Sequence, residues 1–400
     1  MSEQPRGADL VWRNGVSFVD EVKAAYLWHR RGNHPDFRQE RRAMKLQGKI
    51  LDADGHIIER DRELFEYLEP PYAGNETLLG FPFFPTLDGY HRGAILSRLG
   101  VHKEYTITAK VWLDFLDGVD IESTVLYPTA GLAFGIIQDP TWAVALARAY
   151  NNWFTDRFFR VSPRLRAVAL IPTQDIPEAV KELRRAVTEL GMVGGMLSAN
   201  GGELGQRNGL GHPSFWPIYE EAERLNVPLA VHGAPSFNLG INFFTRFALT
   251  HALEHPVAQL IQLTSMVMEG VFERFPRLRV AYLEAGAGWV PYIMDRLDRS
   301  YEVWAAAKYR EFSEWLKRRP SDYIASGQIY FSCEGGEKSL ASTVERIGHR
   351  TLLFASDFPH ETNIQRARHE VEELLEREDL SDEAKQGIFR ENIQRFYASK

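Results

Sequence analysis

The stretch Lys49–Glu59, KILDADGHIIE, decides how this chain is read. Ile50, Leu51, Ala53, Gly55 and Ile57 are apolar or small, with Asp52, Asp54 and His56 set among them at every second position. In an extended strand, side chains two apart share a face. Asp54 and His56 therefore point the same way, and Asp52 lies one step deeper on that face. An isolated carboxylate turned into a core costs several kcal/mol unless it is paired or metal-bound. A carboxylate and an imidazole side by side at a strand end form half of a metal site. Taken alone, the stretch reads more simply as a strand running into a loop whose polar residues cap the next turn. The other half of the site has to be found elsewhere.

Downstream of this strand the chain settles into a rhythm. Strands are expected at 119–129, 165–175, 192–200, 227–233, 278–286, 329–337 and 351–360. Helices are expected at Pro140–Phe159, Pro177–Leu190, Pro213–Leu225, Pro256–Phe275, Trp289–Trp304 and Leu340–Ile347, with more helix to the end. Short apolar strands alternating with helices read as a buried parallel sheet. With Lys49–His56 counted first, eight such units predict a closed (β/α)8 TIM-type barrel. A doubly wound open sheet is disfavoured, because no glycine-rich phosphate turn follows the first strand. Glycine-rich GGELGQRNGLG (201–211) lacks the Gly-Lys-Ser/Thr ending of a phosphate loop and reads as a rim over the strand ends.

Two segments stand outside the rhythm. Residues 1–48 form a polar N-terminal extension with a short helix expected at Phe18–His29, and residues 49–400 are expected to form the barrel. A long insert after the first strand, 60–116, carries PPYAG (70–74), FPFFP (81–85) and GYHRG (89–93), the last offering His91 as a substrate contact. Long loops in compact domains serve as lids or binding loops. The insert and 233–250 (GAPSFNLGINFF and its flanks) are rich in aromatics, which suits either an apolar cover over a cleft or a subunit interface.

Composition narrows the function class. Of 400 residues, 25% are charged and 44% hydrophobic, which fits a globular protein with a large core. The net charge of −7 comes without a concentrated basic stretch, so nucleic acid is not an expected partner. One cysteine, Cys333, allows no internal disulfide and no cysteine-rich zinc site. No signal core and no membrane span are visible, so the expected address is the cytoplasm. The extension and the aromatic content, with 24 Phe and 9 Trp, predict a homodimer or higher homo-oligomer.

Active sites of such barrels sit at the carboxyl ends of the strands. Those ends hold Asp54 and His56, Tyr127, Gln174 and Asp175, Asn200, His232, Glu284, Glu334, and Asp357 with His360. Two carboxylates and two imidazoles, from strands one, five and eight, can converge on one cation. The matching pieces DADGH (52–56), LAVHG (229–233), GVFERFPRLRVAYLEAGAGWVPYIMDRLD (270–298) and LLFASDFPH (352–360) resemble the amidohydrolase superfamily, in its aminocarboxymuconate-semialdehyde-decarboxylase-like branch. The resemblance covers about 48–395 and implies a distorted barrel with one divalent metal at the strand ends, Zn²⁺ or Mn²⁺. It implies Asp54, His56, His232 and Asp357 as the metal ligands, with Asp357 also handling the proton. The resemblance implies one metal rather than two, because the fourth strand lacks the lysine that binuclear members of the superfamily carry there or nearby.

At strand six the familiar decarboxylases carry a histidine where Glu284 stands. Glu284 is therefore a general acid/base candidate or a member of the metal shell. His255, expected at a helix start, either reaches the site or only opens the helix; it is taken as a third catalytic candidate with Asp357 and Glu284. His360 and Glu334 are candidates for support around the site, and Asp52 for orienting a ligand from below. The resemblance implies non-oxidative decarboxylation of a small carboxylated aromatic or cyclic substrate. The alternatives are hydrolysis of a cyclic amide, a lactone or a carbon–carbon bond, and, more remotely, an inactive binding or scaffold barrel.

Overall fold

The computed structural model describes residues 46–85, 107–200, 207–233, 239–240, 244, 247–306, 315–360 and 362–397. The helix expected at Phe18–His29, His91, the middle of the insert and most of 234–246 lie outside these residues. The strands are β1 (Ile50–His56), β2 (Ile121–Tyr127), β3 (Leu165–Ala167), β4 (Ala169–Leu170), β5 (Gly195–Ser198), β6 (Leu229–His232), β7 (Val280–Leu283), β8 (Ile329–Cys333) and β9 (Leu352–Phe354). All pairings are parallel, in a three-stranded sheet β1-β2-β3 and a six-stranded sheet β4 to β9 in sequence order. The expected third strand is thus broken at Val168, which shifts every later strand number by one.

Backbone hydrogen bonds cross both seams between the sheets. At one, Val168 N–H donates to the Leu126 carbonyl (3.5 Å) and Val193 N–H to the Ala167 carbonyl (2.8 Å). At the other, Asp357 N–H donates to the Asp54 carbonyl (3.0 Å) and His56 N–H to the Phe358 carbonyl (2.7 Å). The second seam sets the chain ends carrying Asp54, His56 and Asp357 side by side. Every residue of β1 is buried, polar ones included. Its pairing with β2 slips between Asp52 and Gly55, so Ala53 and Asp54 together face one residue of β2. The strict alternation expected of KILDADGHIIE is therefore interrupted by a bulge, a device that re-aims side chains beside active sites.

Two expected boundaries are corrected. The insert 60–116 does not run as loop to its end: Ala109–Val119 is a helix capped by Thr108, burying Trp112, Phe115, Leu116 and Val119. These positions follow the three-and-four spacing of a helix face, a signal masked by the aromatic run before them. The helix expected at Pro256–Phe275 instead spans Phe247–Met268, and a separate turn, Val271–Arg274, follows Gly270 in the left-handed conformation. Pro256 suggests a first-turn position, yet here it lies inside the helix. His255 is accordingly a mid-helix residue and opens nothing. Among the described residues no helix is long and apolar enough to cross a membrane.

Gly55 shows why the first strand takes this sequence. A Cβ at Gly55 would overlap the Trp112 ring and come within 2.9 Å of Thr124 Oγ1. Trp112 also donates its indole N–H to the His56 carbonyl at 3.0 Å. Gly55→Ala is expected to destabilise the protein by about 1–3 kcal/mol through overpacking, read as a lower urea midpoint at unchanged m-value.

Candidate metal centre

Asp54, His56 and His232 are buried at 1%, 0% and 0% exposure, at the carboxyl ends of β1 and β6. His56 Nε2 lies 3.5 Å from Asp54 Oδ1, and His232 Nε2 lies 3.3 Å from Asp54 Oδ2. Each imidazole has its other nitrogen fixed: His56 Nδ1 meets the Pro128 carbonyl and His232 Nδ1 the Gly233 carbonyl, both at 2.8 Å. A carbonyl only accepts, so both Nδ1 atoms carry the hydrogen and both Nε2 atoms face Asp54.

Asp357 stands next to this trio. Its Oδ1 is 3.5 Å from His56 Nε2 and 2.7 Å from His360 Nδ1. The four expected ligands do not fall in one group: Asp357 joins Glu284 and His360 rather than Asp54 and His232, with His56 common to both. Asp54, His56 and His232 offer atoms within 4.8 Å of one another, as do His56, Glu284, Asp357 and His360. Glu284, after β7, is ringed by imidazoles, at 3.6 Å from His232 Nδ1, 3.6 Å from His255 Nε2 and 3.7 Å from His360 Nδ1.

The electrostatics follow from burial and crowding. Burial raises the Asp54 carboxyl, with His232 pulling the other way. Burial holds His56 well below the ordinary imidazole value, helped by the neighbouring His360 and His232, so its ring is neutral. Burial opposes a charge on His232, but Asp54 outweighs it and pushes the ring up to about 9. Burial and Glu284 push Asp357 up to about 7 against the pull of His360. Burial opposes a charge on His360 too, yet Asp357 and Glu284 push it up to about 10. Asp357 Oδ1 and His360 Nδ1, 2.7 Å apart, are close enough to pass a proton. Glu284 resists the burial that would raise it, because His255 first, then His360 and His232, keep it well below the usual carboxylate range.

The donor set fits a divalent ion. Asp54 Oδ1, His56 Nε2, His232 Nε2 and Asp357 Oδ1 are buried atoms lacking an aligned hydrogen-bond partner. In three pairs, His56 with Asp54, His232 with Asp54 and His56 with Asp357, donor atoms lie 3.3–3.5 Å apart, near the spacing of about 3.3 Å between two ligands at zinc-like bond lengths. Mixed imidazole and carboxylate donors suit Zn²⁺ and Mn²⁺ alike.

Backbone strain is concentrated here. Glu284 (φ 58°) and Asp357 (φ 51°) are two of the four non-glycine residues with positive φ among those described; the other two, Asp120 and Asn226, end helices. Such conformations cost about 1–3 kcal/mol each and need support. Glu284 N–H donates to Ser332 Oγ at 2.9 Å. Beside Asp357, the Ser356 N–H and hydroxyl both donate to Asp52, at 2.8 Å, and Thr124 Oγ1 donates to Asp52 at 2.7 Å. Asp52, raised to about 7 by burial against these hydrogen bonds, ties β1, β2 and the end of β9 together below the site.

The remaining strand-end candidates separate into wall and frame. A cleft of about 520 Å³ opens beside the cluster, walled by His251, His255, Glu284, Trp289, Glu334 and Asp357. Asp175 caps the helix Ile176–Thr188, and Gln174 holds the Phe134 and Ile137 carbonyls. Asn200 donates to the Leu132 carbonyl. Tyr127 lies under the imidazoles, 5.4 Å from the His232 ring, its hydroxyl 2.5 Å from that of Tyr397. Cys333 is buried. Glu337 is a further functional position, not among the strand-end candidates: its carboxylate accepts from Ala287 and Gly288 N–H and so anchors the loop after Glu284. No spacing in the sequence announces it.

An amidohydrolase family model matches residues 125–398. The chain is 26% identical over 243 residues to 2-amino-3-carboxymuconate-6-semialdehyde decarboxylase of Dictyostelium discoideum, covering 61% of this chain and 64% of that protein, just under two thirds of its length. It is 28% identical over 263 residues to gamma-resorcylate decarboxylase of a Polaromonas species, covering 63% of this chain and 77% of that protein. Its fold is similar to the crystal structure of a Polaromonas dihydroxybenzoic acid decarboxylase with bound manganese and the inhibitor 2-nitroresorcinol, with a TM-score of 0.65, 22% identity, and 88% and 97% of the two chains covered.

Proposed function

The chain belongs to the amidohydrolase family, and from that premise we propose a metal-dependent, non-oxidative decarboxylase of a small carboxylated aromatic or cyclic molecule. One observation carries the reading: the buried donor atoms of Asp54, His56 and His232 lie unanswered within 4.8 Å of one another, next to Asp357 on the wall of a cleft. The decarboxylases of carboxylated rings among its relatives support the reaction class. The parallel strands and the hydrogen bonds across both seams support a closed (β/α)8 barrel as its frame.

Asp54, His56, His232 and Asp357 would hold one Zn²⁺ or Mn²⁺. When bound, the ion supplies Lewis-acid polarisation of the substrate carboxylate and a neighbouring oxygen. The chain's own residues do the rest. Asp357, which can take a proton from His360, delivers it to the ring carbon that bears the carboxylate. The bond from that carbon to the carboxylate then breaks, its electron pair returns to the ring, and CO₂ leaves. His255 and His360 hold Glu284 ionised on the cleft wall, where it orients the substrate.

Asp357 also favours a second reading. Its carboxyl, pushed up to about 7 by burial, is suited to act as a base toward a water, as hydrolysis of a cyclic amide or lactone requires. Incubating the metal-loaded protein with a panel of hydroxybenzoates and a panel of cyclic amides and lactones separates the two. CO₂ release from a hydroxybenzoate is the expected result. Ring-opened acid without CO₂ overturns the decarboxylase reading in favour of hydrolysis.

A further inference from the structure

Glu59 lies beyond the end of β1, outside the cluster, yet its carboxylate is engaged by three consecutive backbone donors. Thr129 N–H and Ala130 N–H donate to Oε2 at 3.1 and 3.0 Å, and Gly131 N–H donates to Oε1 at 2.9 Å. Gly131 permits the approach, since a Cβ there would lie 2.7 Å from Pro128 Cβ and 3.2 Å from Glu59 Oε1. Three N–H groups aimed at one carboxylate fix the path of the loop after β2 to within hydrogen-bond tolerance.

That loop touches the candidate centre twice. The Pro128 carbonyl accepts the His56 Nδ1 hydrogen at 2.8 Å, and Thr129 Oγ1 lies 3.0 Å from His360 Nε2. The His56 and His360 rings stack at 4.0 Å, and His360 reaches Asp357 at 2.7 Å through its other nitrogen. The partner of the outer nitrogen of a ligating histidine sets its tautomer and direction. Here one carboxylate governs the loop that sets two imidazoles.

We propose that Glu59 is a positioning residue: through the 128–131 loop it holds His56 as the Nδ1–H tautomer with Nε2 toward the ion, and seats His360 against Asp357. The part that concerns the ion rests on the reading above that His56 is a ligand. Glu59→Ala removes the clamp, Glu59→Gln keeps the volume and one acceptor oxygen, and His56→Ala tests the ligand itself.

Two measurements decide. In metal-free protein with ¹⁵N-labelled histidine, the ring nitrogens of His56 report the tautomer directly. The wild type is expected as Nδ1–H, and Glu59→Ala as a mixture. In a Mn²⁺ titration followed by electron paramagnetic resonance, Glu59→Ala is expected to bind 10- to 100-fold more weakly, about the loss typical of such supporting groups. Glu59→Gln carries the same test if Glu59→Ala does not fold, with a smaller shift in the same direction. An unchanged His56 tautomer in the folded variants overturns the proposal, whatever the ion does. Wild-type Mn²⁺ affinity in His56→Ala overturns the ligand reading alone.

Discussion

Asp357→Asn is expected to reduce kcat about 10³-fold or more while the far-UV circular dichroism stays that of the wild type. The substitution keeps size and shape, so the backbone hydrogen bond from Asp357 N–H to Asp54 and the turn that follows can persist. What it removes is the carboxyl that can pass a proton to and from His360 at 2.7 Å. An amide nitrogen does not give up a proton on the timescale of turnover, and loss of a positioned general acid costs about 10²- to 10⁴-fold. The upper part of that range applies because Asp357 also offers a donor atom 3.5 Å from His56 Nε2. Metal content measured on the same sample separates the two roles. A variant that retains its ion and still loses kcat places Asp357 in the proton transfer. A variant that turns over at the wild-type rate removes Asp357 from the mechanism.

Much of this arrangement was readable from the chain because strands impose a simple geometry. Asp54, His56 and His232 lie at strand ends, and parallel strands in register bring their ends to one level. Glu284 and Asp357 come from the turns just past β7 and β9, where strand periodicity no longer applies. Their left-handed backbones aim them into the site, and nothing in LEAG or SDFP states that aim. His255 was misplaced because Pro256 reads as a helix start; once the helix begins at Phe247, His255 reaches the cleft from its interior. Glu59 and Glu337 were illegible for a different reason. Glu59 holds backbone N–H groups 70 to 72 residues away and Glu337 holds two that are 49 and 50 residues away, groups that nearly every residue type supplies. Sequence marks side-chain chemistry well; it does not mark which backbone a carboxylate will hold.

Removal of the divalent ion is expected to abolish turnover, and Mn²⁺ or Zn²⁺ at one equivalent to restore it. Without its ion, Asp54 is a buried carboxylate whose answer is a proton on His232, while His56 stays neutral. A buried ion pair of this kind recovers little of the cost of taking both groups out of water. An ion bound by the folded chain alone relieves that cost. At free concentrations about 1,000 times Kd it stabilises the fold by about 4 kcal/mol, seen as a higher melting temperature that tracks ion concentration. His232→Ala is expected to lose both the restored turnover and the melting shift, since it deletes a donor 3.3 Å from Asp54. A chelated protein that takes up no ion on soaking and melts at one temperature with and without Mn²⁺ and Zn²⁺ would be the binding or scaffold barrel instead. In that protein the crowding of Asp54, Glu284 and Asp357 within reach of the same imidazoles would be a standing cost with no compensating ligand, which is why the enzyme reading is preferred.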